Sequence, residues 1–184
     1  MMAILRTVTI TVFALLSTGI AAQEQYQEGV HYELIEPKVH TGISDQIVVT
    51  EFFSYGCGHC YNFEALLHPW SEKLPADVDF QQTPAIWQPA MESYARAYFS
   101  AVMLKVVDRV HMPIFEAIHV KRQQIRSEQD FAEIFMAQGV DAEKFAKVYN
   151  SFGMTSMINQ AKSRIRGYRV QGTPEMIVNG KYRV

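Results

Sequence analysis

At 184 residues, with hydrophobic types at 48% and charged types at 20%, the chain has a single domain's length and enough apolar content for a core. That excludes disorder and fibrous repeats. Seventeen Lys and Arg against nineteen Asp and Glu give a formal charge of −2, which leaves no basic excess to suggest a nucleic-acid partner.

Residues 1–22 read as a signal peptide. Arg6 is their only charge, residues 7–16 are apolar and threonine-rich, and Gly19-Ile20-Ala21-Ala22 offers small residues for cleavage before the polar Gln23-Glu24-Gln25. The apolar stretch is shorter than the roughly 18 to 20 residues that span a bilayer. Export places the protein in the periplasm, and so takes its cysteines out of the reducing cytosol.

Residues 26–40 read as a polar, extended lead-in, with Pro37 opposing a helix. Residues 47–53 (IVVTEFF) are β-branched and aromatic in an almost unbroken run, the pattern of a strand covered on both faces. A helix follows from Cys57, with Phe63, Leu66, Leu67 and Trp70 at helical spacing, a bend at Pro69 and an end marked by Pro75. Residues 78–82 form a second predicted strand, and Pro84 and Pro89 bracket an irregular link containing Trp87.

From Met91 the chain is predicted helical for about eighty residues. Its apolar stripes are Met91, Tyr94, Ala95, Tyr98, Val102 and Val106, then Met154, Met157, Ile158, Ala161 and Ile165. Ser127 with Asp130 resembles a capping box, and Asp141 is placed to cap a further helix. Gly172-Thr173-Pro174 ends the helical pattern. Met176-Ile177-Val178 reads as a strand, and Asn179-Gly180 is a strong hairpin turn before a return strand over 181–184. The helical excursion is too long for a simple crossover, so it is expected to be a subdomain inserted into a small α/β fold.

The chemistry concentrates in Cys57-Gly58-His59-Cys60, at a strand-to-helix junction. The first turn of a helix offers unpaired N–H groups and partial positive charge, which favour a thiolate at Cys57 and make it the nucleophile. His59 can add a donor or a charge to the same sulfur, and Cys60, one turn in, is the resolving thiol. Haem attachment would need histidine where Tyr61 stands. Zinc would need two further ligands, and His31, His40, His68, His111 and His119 show no local pairing at metal-binding spacing. A purely structural disulfide gains less from so small a loop.

The segment EFFSYGCGHC over 51–60, together with GTPEMIVNGKY over 172–182, resembles the active-site strand and helix and the cis-proline loop of DsbA-type thiol:disulfide oxidoreductases. The helical block matches that family's inserted domain in length and position. The resemblance implies a thioredoxin-like fold with an inserted helical subdomain, its parts falling at 23–84, 85–167 and 168–184. It also implies a cis Thr173–Pro174 bond facing the cysteines and binding an extended substrate chain. Glu51, inside an apolar strand, is expected to have a raised pKa and, by the resemblance, to assist proton transfer for Cys60. The implied activity is donation of the Cys57–Cys60 disulfide to reduced or unfolded exported proteins by a monomer. A DsbB-type quinone-linked membrane protein would recharge it, and no metal or organic cofactor is needed. An isomerase or reductase with the same site, and a non-catalytic chaperone or binding module, are the alternatives. Departures from the family are Gly58 in place of proline, Thr173 in place of valine, Gln82 where some members have lysine, and an apparent C-terminal truncation at Val184.

Overall fold

A computed structural model describes residues 26–42 and 45–184; the predicted signal peptide lies outside them. Five strands form one sheet: β1 (Glu33–Leu34), β2 (Ile47–Phe53), β3 (Val78–Pro84), β4 (Glu175–Val178) and β5 (Tyr182–Arg183), in the order β1-β5-β4-β2-β3. β2 runs parallel to β3, with Glu51 opposite Gln82, and antiparallel to β4, with Glu51 opposite Met176. β2 is therefore central, as its continuous apolar run required, and six of its seven residues are buried. Phe52 and Phe53 are fully buried, each worth roughly 1.5–3 kcal/mol of hydrophobic stabilisation.

Helix α1 (Gly58–Ser71) connects β2 to β3 and carries Pro69 within it. It ends at Ser71, short of the predicted stop at Pro75. Its buried face is Cys60, Glu64 and Leu67. Of the predicted stripe, Leu66 and Trp70 are exposed, lining a shallow apolar groove with Phe63 and Met176.

The predicted helical excursion resolves into a short 3-10 turn (Pro89–Met91) and five helices. These are α2 (Glu92–Leu104), α3 (Val107–His119), α4 (Glu128–Ala137), α5 (Ala142–Tyr149) and α6 (Phe152–Gly167). Ser127 and Asp130 form the reciprocal capping box of α4, and Asp141 and Ser151 accept N-cap bonds from Lys144 and Met154. Phe115, Phe131, Phe135, Phe145 and Met154 fill the core among these helices.

Two further features depart from the sequence reading. The lead-in contributes β1, a two-residue strand pairing with β5, because Ile35 and Val39 dock by backbone hydrogen bonds on Lys181 and Gly180. The helical block also breaks at Lys105, whose left-handed backbone (φ 56°, ψ 46°) caps α2, with the Val106 N–H returning to Ala101 O. At the hairpin, Asn179 (φ 51°) and Gly180 (φ 62°) adopt the paired positive φ of a type I′ turn. A Cβ on Gly180 would lie 2.1 Å from the Val39 carbonyl oxygen, so only glycine fits where the lead-in crosses.

Candidate active site

Cys57 is the N-cap of α1 with extended backbone (φ −97°, ψ 114°). Its sulfur takes the place a capping oxygen usually fills and accepts the Cys60 N–H at 3.3 Å. Both cysteines are free thiols; Cys57 is half-buried and Cys60 is buried. The Thr173–Pro174 peptide is cis, and the Cys57 thiol donates to Thr173 O at 3.3 Å across a separation of 116 residues. The two segments singled out in the sequence therefore meet at one sulfur.

The two thiols are driven apart electrostatically. At Cys57 burial opposes the charged form, but hydrogen bonds from the Thr173 side chain, from the Cys60 thiol and from the Cys60 and His59 backbone N–H groups outweigh it, and its pKa is lowered. At Cys60 burial dominates and pushes the thiol up to about 12, against a lowering hydrogen bond from the Ser54 backbone. His59 thus acts on Cys57 through its backbone N–H; its side chain is exposed, and among the described residues its ring makes no hydrogen bond to either sulfur.

Glu51 is fully buried in the central strand β2. Burial raises its carboxyl to about 8; the Gln82 hydrogen bond opposes this, and the nearby Glu64 carboxyl adds to it. Its Oε2 accepts from Gln82 Nε2 at 2.8 Å, while its Oε1 is buried with no hydrogen-bond partner. No hydrogen bond joins Glu51 to either sulfur among the described residues.

A buried polar chain not foreseen from the sequence ties α1 to α3. Gln82 Nε2 also reaches Glu64 Oε1 at 3.1 Å, His111 Nε2 meets the same oxygen at 3.0 Å, and Tyr55 OH meets His111 Nδ1 at 2.8 Å. Tyr55 OH is the donor to Nδ1 when the Nε2 proton is committed to the carboxyl. An open cleft of about 770 Å³ between α1 and α3 reaches Glu64, Gln82 and His111. The sequence signal was Glu64 itself, a polar residue four and three positions from Cys60 and Leu67 on one helix face. A second histidine of α3, His119, donates from Nε2 to Tyr55 O at 2.8 Å and stacks on Tyr61 with ring centroids 5.4 Å apart. Among the described residues no group of three or more His, Cys, Asp or Glu could hold a metal ion.

A sheet with a C-x-x-C turn at a helix N-terminus, faced by a cis-proline loop, defines a thioredoxin-like dithiol–disulfide protein. A model of the DSBA-like thioredoxin domain matches residues 67–184. The thiol:disulfide interchange protein DsbA of Pseudomonas aeruginosa is 39% identical over 166 residues, covering 90% of this chain and 79% of that one. The protein of the same name from Pseudomonas syringae is 36% identical over 167 residues, covering 90% and 78%. The crystal structure of Pseudomonas aeruginosa DsbA superimposes with a TM-score of 0.83 at 38% identity over 88% of this chain and 84% of that one. A complex of Proteus mirabilis DsbA with the non-covalently bound peptide PWATCDS gives 0.77 at 28% identity over 87% and 85%. The chain belongs to the DSBA-like thioredoxin domain family, and its activity is that of a protein-disulfide oxidoreductase.

Proposed function

We propose that the protein donates a Cys57–Cys60 disulfide to reduced proteins exported to the periplasm. The observation that carries this reading is the difference between the two sulfurs. One is half-exposed, lowered in pKa and in contact with the cis-proline loop; the other is buried and raised to about 12.

A substrate thiolate attacks Cys57 Sγ of the oxidised pair. The Sγ–Sγ bond breaks, a substrate–Cys57 disulfide forms, and Cys60 leaves as a thiolate that takes up a proton. A second substrate thiolate then attacks the substrate sulfur of the mixed disulfide and expels the Cys57 thiolate. The substrate loses two electrons and the enzyme gains them. Cys57 is the better leaving group because its thiolate is the stabilised one. Cys60 needs a proton source, and Glu51, buried on β2 and held near 8, is the candidate that the family resemblance supplies. Thr173 and Pro174 form the loop against which an extended substrate chain lies, a reading supported by the peptide held by the Proteus mirabilis relative. His59 contributes the N–H described above.

The chemistry uses the protein's own disulfide and no added cofactor. The working form is a monomer, recharged by a DsbB-type quinone-linked membrane protein. Its thioredoxin-like part comprises 23–84 and 168–184, with a helical subdomain at 85–167 and a signal peptide over 1–22. Among the described residues no helix is long and apolar enough to cross a membrane.

The test is oxidation of a reduced two-cysteine peptide by the oxidised protein. Two thiols are consumed per protein molecule, and Cys57→Ser consumes none. A Cys57→Ser protein that retained its biological activity, or a Cys57 thiolate absorbance titrating near the ordinary thiol value of about 8.5, would overturn the reading.

A further inference from the structure

His119 reaches the cysteine turn from the end of α3, and one of its nitrogens is unspent. Its Nε2 lies 2.8 Å from Tyr55 O, and a carbonyl oxygen only accepts, so Nε2 carries the proton. In the neutral ring Nδ1 then holds a lone pair, and among the described residues nothing donates to it. The ring is fixed by its stack on Tyr61 (5.4 Å, 13° between planes) and by the tilted ring of Phe115 at 6.0 Å. An acceptor is therefore held in one orientation without a donor.

Nδ1 lies beside the first residue after the nucleophile. A Cβ built on Gly58 would lie 3.9 Å from His119 Nδ1 and 4.0 Å from Cε1. Gly58 is exposed and has no side chain, so the space beside Cys57 over Nδ1 stays open. A substrate chain whose sulfur has reached Cys57 passes through this neighbourhood. Across varied protein substrates the one donor always available beside a cysteine is the backbone N–H, and main-chain hydrogen bonding is how extended chains are held independently of sequence.

We propose that His119 is a substrate-positioning residue of the exchange reaction, its Nδ1 accepting a backbone N–H of the substrate segment that flanks the attacking cysteine. The contact supplements the Thr173 loop, so the substrate is fixed by two elements, one from the sheet and one from the helical block. The inference rests on the oxidase reading and assigns a recognition contact within it. It also bears on the glycine between the cysteines: a side chain there would rest in van der Waals contact with the imidazole.

The experiment scans a linear two-cysteine peptide with single backbone N-methylations at the residues flanking each cysteine. It measures kcat and KM for the wild-type protein, His119→Phe and Gly58→Ala. Phe keeps an aromatic ring against Tyr61 and removes the acceptor. Gly58→Ala leaves the His119–Tyr55 bond in place and adds, at an exposed helical position, a methyl group that covers Nδ1 in van der Waals contact at 3.9 Å. At one position N-methylation is expected to raise the wild-type KM about fivefold, the order of one neutral hydrogen bond, with kcat little changed. The same methylation has no further effect on either variant. Equal sensitivity to methylation in all three proteins, or no sensitive position in the wild type, overturns the assignment while leaving the oxidase reading intact. Failure of the wild type to oxidise the unmethylated peptide defeats that reading and this inference with it.

Discussion

Glu51→Gln isolates the cost of keeping a carboxyl buried in the central strand. The folded protein holds the Glu51 proton up to about pH 8, whereas the ordinary carboxyl value is 4.5. Between those limits the folded chain binds more protons than the unfolded one, so stability falls as pH rises. The penalty is absent below 4.5, grows through the window and is complete above 8. The gap of 8 − 4.5 = 3.5 units, at about 1.36 kcal/mol each, sets a ceiling of about 5 kcal/mol. Glutamine keeps an acceptor for Gln82 and never ionises, so it removes the pH-dependent part. Urea unfolding of the reduced proteins at pH 4, 6 and 8.5 is the assay. The stability of Glu51→Gln relative to wild type should climb with pH, gaining about 2–5 kcal/mol between the extremes. The two cysteines titrate in both proteins and largely cancel in that difference. Parallel stability curves across the range would refute the reasoning, because they would mean that the carboxyl ionises as freely inside the fold as outside it.

Substitutions at two further positions test the frame around the site. Gly180→Ala drives a methyl group into the Val39 carbonyl at 2.1 Å, at a positive φ of 62°; it should cost at least about 2 kcal/mol, read as a lowered urea midpoint, and a neutral result would show that the lead-in does not cross the hairpin this closely. Glu64→Ala leaves the His111 Nε2–H and one Gln82 contact without their acceptor and should cost about 1–3 kcal/mol by the same measurement. Glu64→Gln, which keeps an acceptor oxygen, should cost less, and the opposite order would exclude a hydrogen-bonding role for that carboxyl.

Local signals in the sequence were read well, and distant partnerships were not. The bounds of β2 followed from an unbroken β-branched and aromatic run, and the α4 capping box from Ser127 and Asp130, because in each case the physics acts within a few residues. The cysteine pair and Thr173-Pro174 could be placed in one site only through family resemblance; no local rule joins residues 116 positions apart. The break at Lys105 left no mark because a lysine adopts the left-handed conformation that glycine usually signals. On α1, hydrophobicity alone pointed to Leu66 and Trp70, yet the helix buries Glu64 instead. A buried carboxyl is tolerated there because Gln82 and His111, from two other elements, supply donors. That compensation is invisible until the chain is folded.

In the proposed mechanism the difference between the two sulfurs also bears on the direction of exchange. Once a substrate is joined to Cys57, two thiols compete to resolve the mixed disulfide: the substrate's second cysteine, and Cys60. Attack by Cys60 restores the enzyme disulfide and returns the substrate reduced; attack by the substrate completes the donation. In the reduced protein Cys60 is pushed up to about 12, chiefly by burial. At pH 7 a thiol of that pKa is ionised to only about one part in 10⁵, whereas an ordinary solvent-exposed thiol near 8.5 is a few per cent thiolate. A higher intrinsic nucleophilicity recovers part of this deficit, since reactivity rises with a Brønsted slope of about 0.4–0.5. Over 3.5 units that is under two powers of ten, against more than three lost in ionisation, so burial leaves Cys60 slower than an exposed thiol would be in the same place. Burying Cys60 therefore does more than protect it: it slows the reverse step and leaves the substrate's own thiol time to finish the reaction.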